Sequence, residues 1–123
     1  GIINDTTQKQ FINQFASAMA SPWFKYFLQF DPQPDLIRLH CKVLAMNGDK
    51  DLQVISKTNL AAINAALKKS KSPSYTVKEM PGLNHLFQHC KKCTVQEYGE
   101  LEETFSPEVL QIMSDWIAIA VKH

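Results

Sequence analysis

Two short loops, each directly after a predicted strand, carry the residues best suited to proton transfer. The first loop, residues 47–51, contains two aspartates, and the second, residues 81–85, ends in a histidine. In open parallel sheets, ligands and catalytic groups gather at the carboxyl ends of strands. A carboxylate in that position can accept the Nδ1–H of an imidazole and fix its tautomer. Because imidazole titrates near neutral pH, it can then take and return a proton. The spacing therefore predicts an acid–base pair at one edge of a sheet.

Each half of this pair has a competitor. The acid is either Asp49 or Asp51. For the base we prefer His85 to His89. Plainer interpretations remain for both loops: Asp51 could cap the helix that follows, and a lone loop histidine is more often a surface residue.

The elements that must position these loops follow from the apolar pattern. A consecutive apolar run at residues 43–46 favours a strand buried on both faces, as in a parallel sheet. A helix is predicted for residues 56–69, and a second strand for residues 75–80. Strand, helix and strand with short connections form a βαβ unit with parallel strands. A final helix is predicted to start at Ser106, with proline next in the chain.

The first 40 residues predict a helical segment. A helix is expected over residues 6–20, followed by an aromatic-rich stretch at residues 23–30. We interpret that stretch as a short buried helix, with the wall of a substrate pocket as the alternative. The predicted fold class is thus α/β in a single domain, helical over residues 1–40 and strand-helix-strand-loop-helix over residues 41–123.

Composition excludes several function classes. The 123 residues are 45% apolar and 20% charged with a net charge of +1, which gives no case for nucleic acid or an anionic membrane as partner. No run approaches the roughly 18 to 20 apolar residues that span a bilayer, and residues 1–5 do not resemble a signal peptide. The start at Gly1 fits a chain cut from something longer. Three cysteines, an odd count, argue against a disulfide framework and leave the compartment undecided.

A second cluster of possible ligands lies at residues 85–93, with the patterns H-x-x-x-H and C-x-x-C. A zinc-stabilised domain is one alternative, because C-x-x-C is a common zinc half-site. We favour solvated loop residues instead, since one short segment rarely surrounds a metal and only Cys41 or His40 could complete the set. A redox role is disfavoured because the C-x-x-C does not open a helix. The charged residues that follow, Glu97 among them, are predicted to be solvated surface.

These loops resemble the motifs of a known family. Residues 43–54 resemble the acid motif of α/β-hydrolases, an apolar strand followed by G-x-x-D-x-x-V, and residues 80–87 resemble their histidine motif. Residues 21–32 and the helix after Phe105 resemble the corresponding parts of bacterial esterase-like members related to dienelactone hydrolase and the prolyl oligopeptidase group. The resemblance covers nearly the whole chain but only about the last third of a family member.

The resemblance implies the C-terminal part of an α/β-hydrolase fold that cleaves carboxylic esters without metal or cofactor. It makes Asp51 the triad acid in preference to Asp49, because Asp51 fills the fourth position of G-x-x-D, and it makes His85 the general base. The nucleophile motif G-x-S-x-G is missing, because none of the glycines has a serine two positions later; they are Gly1, Gly48, Gly82 and Gly99. We therefore expect the serine on a missing N-terminal part and no activity from this chain alone.

Two further expectations follow from that interpretation. A sheet cut beside its first strand would expose an edge, so we predict a homo-oligomer that pairs through this edge. The main rival from another class is a non-catalytic α/β module for binding or assembly.

Overall fold

A computed structural model of the chain describes residues 5–122, with the side chains at positions 5–8 and 11 outside the description. Gly1, at which the chain was predicted to have been cut from something longer, lies outside the described residues. The chain divides into two compact units between Pro32 and Gln33. Its architecture is that of a small mixed α/β protein with two parallel strands and several helices, as the apolar pattern predicts.

The first unit consists of two helices, α1 (Asp5–Met19) and α2 (Pro22–Gln29). The Ser21 hydroxyl caps α2 by accepting the N–H of Phe24 at 3.2 Å, and Pro22 occupies the first helical position. The prediction that this aromatic helix is buried was wrong, because no residue of α2 is buried. Trp23 is 69% exposed and stacks on Phe27 of the same helix. A unit of two short helices has too little volume to enclose such rings.

The second unit contains the sheet. Its helices are α3 (Gln33–Ile37), α4 (Ser56–Leu67) and α5 (Pro107–Ala120), together with a 3₁₀ helix at Val95–Glu100. Its strands are β1 (Val43–Gly48) and β2 (Tyr75–Met80), which pair in parallel from Val43 opposite Tyr75 to Gly48 opposite Met80. The predicted βαβ order is confirmed. The expected burial of β1 on both faces was wrong, because its side chains are half-buried as far as Met46.

One cluster of core residues in this unit lies at the carboxyl ends of the strands. Met80, Leu83 and Val109 are at most 1% exposed, and half-buried side chains surround them. One core residue ends β2, one lies in the loop after it and one lies in the first turn of α5. The same packing that excludes water here therefore fixes the loop that carries His85.

Helix α5 begins where the sequence predicts, with Ser106 at the N-cap and Pro107 in the first turn. The Ser106 hydroxyl forms no capping hydrogen bond and is fully buried. Instead, the Ser106 backbone N–H donates to the carbonyl of Phe87 at 2.8 Å, so the start of α5 is tied to the histidine loop. Among the described helices, none is long and apolar enough to span a membrane.

Candidate active site

The loop after β1 holds Asp51 in a rigid, buried position. Asp51 is 5% exposed. Its Oδ1 atom accepts the backbone N–H groups of Gln53 and Val54, both at 2.9 Å. Helix α4 starts later, with Ile55 at its N-cap, so Asp51 does not cap that helix. One carboxylate oxygen is thus occupied by its own loop, and the other faces the remainder of the site.

Two asparagines orient that second oxygen. The side-chain Nδ2 of Asn47 donates to Asp51 Oδ2 at 3.0 Å and to the carbonyl of Val54 at 3.3 Å. Asn47 Oδ1 in turn accepts from Nδ2 of Asn59 on α4 at 2.8 Å. Sequence reasoning missed both asparagines. The available signal for Asn47 was an amide directly after an apolar strand run, at a position that parallel pairing buries.

The loop after β2 closes on itself and presents His85 at its tip. Leu83 and His89 form an antiparallel bridge at its base. Inside the loop, the buried Asn84 accepts the N–H groups of Leu86 and Gln88 on its side-chain oxygen, at 2.9 and 3.0 Å. These bonds replace sheet and helix pairing for a segment that has neither, which is why an irregular loop can be held in one conformation.

His85 meets Asp51 across the two loops. His85 Nδ1 lies 2.9 Å from Asp51 Oδ2, with the imidazole side chain 38% exposed and the carboxylate 3% exposed. A carboxylate next to Nδ1 favours the tautomer with the proton on Nδ1, which leaves the Nε2 lone pair free to accept a proton. The arrangement can therefore act as a general base with an oriented imidazole.

The competing residues are engaged elsewhere. Asp49 Oδ1 accepts the backbone N–H of Gly82 at 2.6 Å, so that carboxylate ties the two loops together. His89 Nδ1 lies 2.9 Å from Glu103 Oε2, in a pair whose imidazole is 58% exposed. Within the described residues, the structure thus brings Asp51 and His85 together, and pairs neither Asp49 nor His89 with them.

A shallow cavity of about 180 Å³ adjoins the pair. Apolar side chains of Met46 and Phe87 line it together with Asn47 and the pair itself. The imidazole is therefore reached from a partly apolar depression rather than from a flat surface.

Several opposing influences set the protonation of Asp51. Burial on its own would raise the pKa of Asp51. The N–H of Val54, the hydrogen bond from His85 and the N–H of Gln53 outweigh burial and hold this pKa below its ordinary value of 3.8. Asp51 is thus ionised at neutral pH, as an acceptor for His85 must be.

The lowered pKa of Asp51 predicts how the stability of the fold depends on pH. A carboxylate whose pKa is lower in the folded state stabilises that state above the unfolded pKa, and the stabilisation is lost as pH falls through the folded pKa. As the pH falls from about 5 to about 2, the unfolding free energy of the wild type should therefore decrease more than that of Asp51→Asn. Urea unfolding at a series of pH values measures this. Parallel pH profiles for the two proteins would contradict the contribution of Asp51.

The His/Cys loop differs from its prediction in two ways. Cys90 and Cys93 form a disulfide, so the expectation drawn from the odd cysteine count was wrong for this pair, and Cys41 is the free, exposed cysteine. Glu97 is only 5% exposed, which corrects the prediction of a solvated surface at that position. Glu97 lies with the two cysteines in a group whose possible ligand atoms are within 4.8 Å of one another. Metal ligation requires thiolates, which a disulfide does not offer.

Comparison with known proteins adds no relative. No family model, no curated protein sequence and no solved structure matches this chain.

Proposed function

We propose that this chain supplies the acid and base of a Ser-His-Asp triad in an α/β-hydrolase that cleaves carboxylic esters. The observation that supports the proposal is the 2.9 Å contact between His85 Nδ1 and Asp51 Oδ2. Its two residues come from loops that follow neighbouring parallel strands, in the order acid then histidine. The order acid then histidine is the one that the resemblance to α/β-hydrolases implies, in which both follow the nucleophile along the chain.

In the proposed reaction, His85 Nε2 removes the proton of a serine hydroxyl as the serine oxygen attacks the ester carbonyl. His85 then returns that proton to the leaving alcohol, and repeats the cycle with water to release the acid. Asp51 stays ionised and stabilises the imidazolium that forms twice in each turnover. The bond from Asn47 Nδ2 restrains Asp51 Oδ2, the same oxygen that His85 contacts. The chemistry uses neither metal nor cofactor.

Under this proposal, the nucleophile is a residue outside this chain. The 123 residues contain no G-x-S-x-G, and such a motif places the serine on a strained turn between strand and helix. Without the serine, most of the chemical rate is lost even when acid and base are intact. The proposal therefore assigns the serine and the oxyanion-hole amides to a preceding part of a longer protein, and this chain alone is inactive.

Labelling with a fluorophosphonate, which reacts with activated serines, tests this assignment. In the longer protein that contains this chain, we expect one labelled peptide, and mapping should place the label on the serine of a G-x-S-x-G sequence. Heat-denatured protein serves as the control and should not react. The absence of any label, or a label on a serine within residues 1–123, would overturn the proposal.

An assembly role is the second candidate, and the free edge of the sheet favours it. The described sheet contains only β1 and β2, so each strand has an unpaired edge. Unpaired edges join strands of other chains. Beside β1, a groove of about 410 Å³ is lined by apolar side chains of β1 and α5, including Leu44, Met113 and Trp116. The predicted homo-oligomer would pair through this edge. A monodisperse monomer in sedimentation velocity would contradict it.

A further inference from the structure

A disulfide ring lies at the base of the loop that carries His85. Cys90 is bonded to Cys93, and Cys90 directly follows His89, whose bridge with Leu83 closes that loop. The Cys90 sulfur also lies 3.8 Å from the carbonyl oxygen of Gly82, at the other side of the base. The disulfide thus closes a ring within the segment that leaves the histidine loop, and its Cys90 sulfur contacts the segment that enters the loop.

A buried carboxylate holds the backbone of this ring. Glu97 accepts the N–H groups of Lys91 at 3.2 Å, Lys92 at 2.9 Å and Cys93 at 2.6 Å. Three successive N–H groups that converge on one anion form a backbone nest. The bond from Lys92, with the other two, holds the pKa of Glu97 below its ordinary value despite the opposing effect of burial. The nest exists only while residues 91–93 keep this conformation.

The backbone of residues 91–93 would not favour that conformation without restraints from surrounding bonds. Cys93 has φ of 61°, in the left-handed region that side chains other than glycine rarely adopt. Such a residue persists when surrounding bonds over-determine it. For Cys93 those bonds are the disulfide to Cys90 and the N–H bond to Glu97. Cleaving the disulfide removes one of the two restraints, so the ring can relax and release Glu97.

We propose that Cys90–Cys93 is a thiol–disulfide exchange site that reacts with small or protein dithiols, and that its oxidised form orders the base of the His85 loop. This inference is independent of the proposed hydrolase activity. It differs from the expectation that the C-x-x-C has no redox role, because the sequence does not reveal the nest or the position of Cys93. Among the described residues, this pair is the one disulfide, and Cys41 is exposed and free.

The exchange proceeds in two balanced steps. A thiolate of the dithiol attacks Sγ of Cys90, the more exposed cysteine of the pair, since Cys90 is half-buried and Cys93 is 9% exposed. The S–S bond breaks, its electron pair passes to Cys93 Sγ, and that sulfur takes a proton from water. The second thiol of the reagent, as a thiolate, then attacks the reagent's first sulfur, which is bonded to Cys90 in the mixed disulfide. Cys90 leaves and is protonated, and the reagent becomes a cyclic disulfide.

Glu97 should favour the oxidised pair for two reasons. A carboxylate oxygen within 4.8 Å of both sulfurs disfavours a thiolate at either position. Its bonds to the nest also stabilise the conformation that the disulfide requires. In Glu97→Gln both effects weaken, because the amide is neutral and its NH₂ group cannot accept an N–H. The equilibrium should then shift toward the dithiol.

The test uses the full 123-residue chain with Cys41→Ser as background, so that two cysteines remain. The protein is equilibrated in buffers of reduced and oxidised dithiothreitol, thiols are trapped by alkylation, and mass spectrometry gives the oxidised fraction. We expect one reversible transition in folded protein. Glu97→Gln should shift its midpoint by about tenfold toward the dithiol, which is about 30 mV for this two-electron couple. Glu100→Gln, an exposed carboxylate in the same 3₁₀ helix, should leave the midpoint unchanged.

Hydrogen exchange provides the structural readout. On reduction, the amides of residues 91–93 should exchange at least about tenfold faster, while amides within α4 keep their rates. The double variant Cys90→Ser/Cys93→Ser should exchange like the reduced protein without any redox reagent, which keeps the proposal testable if Glu97→Gln fails to fold. A disulfide that resists reduction until global unfolding would overturn the proposal. So would unchanged exchange at residues 91–93, or equal midpoints for the two glutamine variants.

Discussion

Under the proposed triad, His85→Ala is expected to lower kcat for p-nitrophenyl ester hydrolysis by about 10⁴- to 10⁶-fold in the proposed longer protein. In the proposed mechanism the imidazole takes the serine proton in one step and returns it to the leaving group in the next, and no other described group is placed to replace it. Because the proposed proton transfers occur in the transition state rather than in substrate binding, KM should change far less than kcat. Initial rates over a range of substrate concentrations separate the two constants.

The matched control for this experiment lies four residues away. His89 forms the same type of pair, with Nδ1 at 2.9 Å from a carboxylate oxygen of Glu103. That pair is more exposed and faces another part of the loop, so His89→Ala removes an imidazole–carboxylate contact without touching Asp51. We expect His89→Ala to retain wild-type kcat. Equal losses in both variants would indicate damage to the loop rather than to the chemistry, and unaltered rates in His85→Ala would contradict the triad.

The parts of the fold that were predictable depend on local pattern. A consecutive apolar run and a second β-rich run, separated by a helical repeat, specify β1, α4 and β2, and short connections between parallel strands specify the βαβ order. The candidate site follows from the same rule. Because parallel strands end at one edge, the loops after them must approach each other, and the acid and histidine were therefore expected to lie close together.

The features that could not be predicted depend on tertiary contacts, which decide which side chains are buried. The exposure of α2 could not be inferred from its aromatic composition, because burial depends on the surface available to enclose it. Glu97 reads as one acid among several in a charged stretch. Its burial arises from three backbone N–H groups whose convergence requires Cys93 in a left-handed conformation. Similarly, Asn47 supports Asp51 only because α4 brings Asn59 behind it.

Gly48→Ala is expected to destabilise the second unit by about 3 kcal/mol or more, near the upper end for an overpacked site. A Cβ atom at this position would lie 2.1 Å from the carbonyl oxygen of Leu83 and 2.8 Å from that of Asn84. Both obstacles are backbone atoms. They cannot rotate away, so the histidine loop itself would have to move.

That movement would reach the candidate site, because backbone hydrogen bonds join the two loops beside Gly48. The N–H of Asp49 donates to Met80 at 2.9 Å and the N–H of Lys50 donates to Leu83 at 3.0 Å. Displacing the carbonyl of Leu83 breaks the second bond and withdraws His85 from Asp51. Urea unfolding measures the stability, and the Nδ1–H signal of His85 in the proton NMR spectrum reports whether the pair survives.

Gly99→Ala is the matched control, since a Cβ atom at Gly99 meets no atom within 4 Å and its φ is not positive. We expect its unfolding free energy to stay within about 0.5 kcal/mol of wild type. If Gly48→Ala proved equally stable and kept the His85 signal, the close passage of the histidine loop over β1 would be wrong. The geometry of the acid–base pair would then lose its main support, because the contact between Asp51 and His85 depends on that passage.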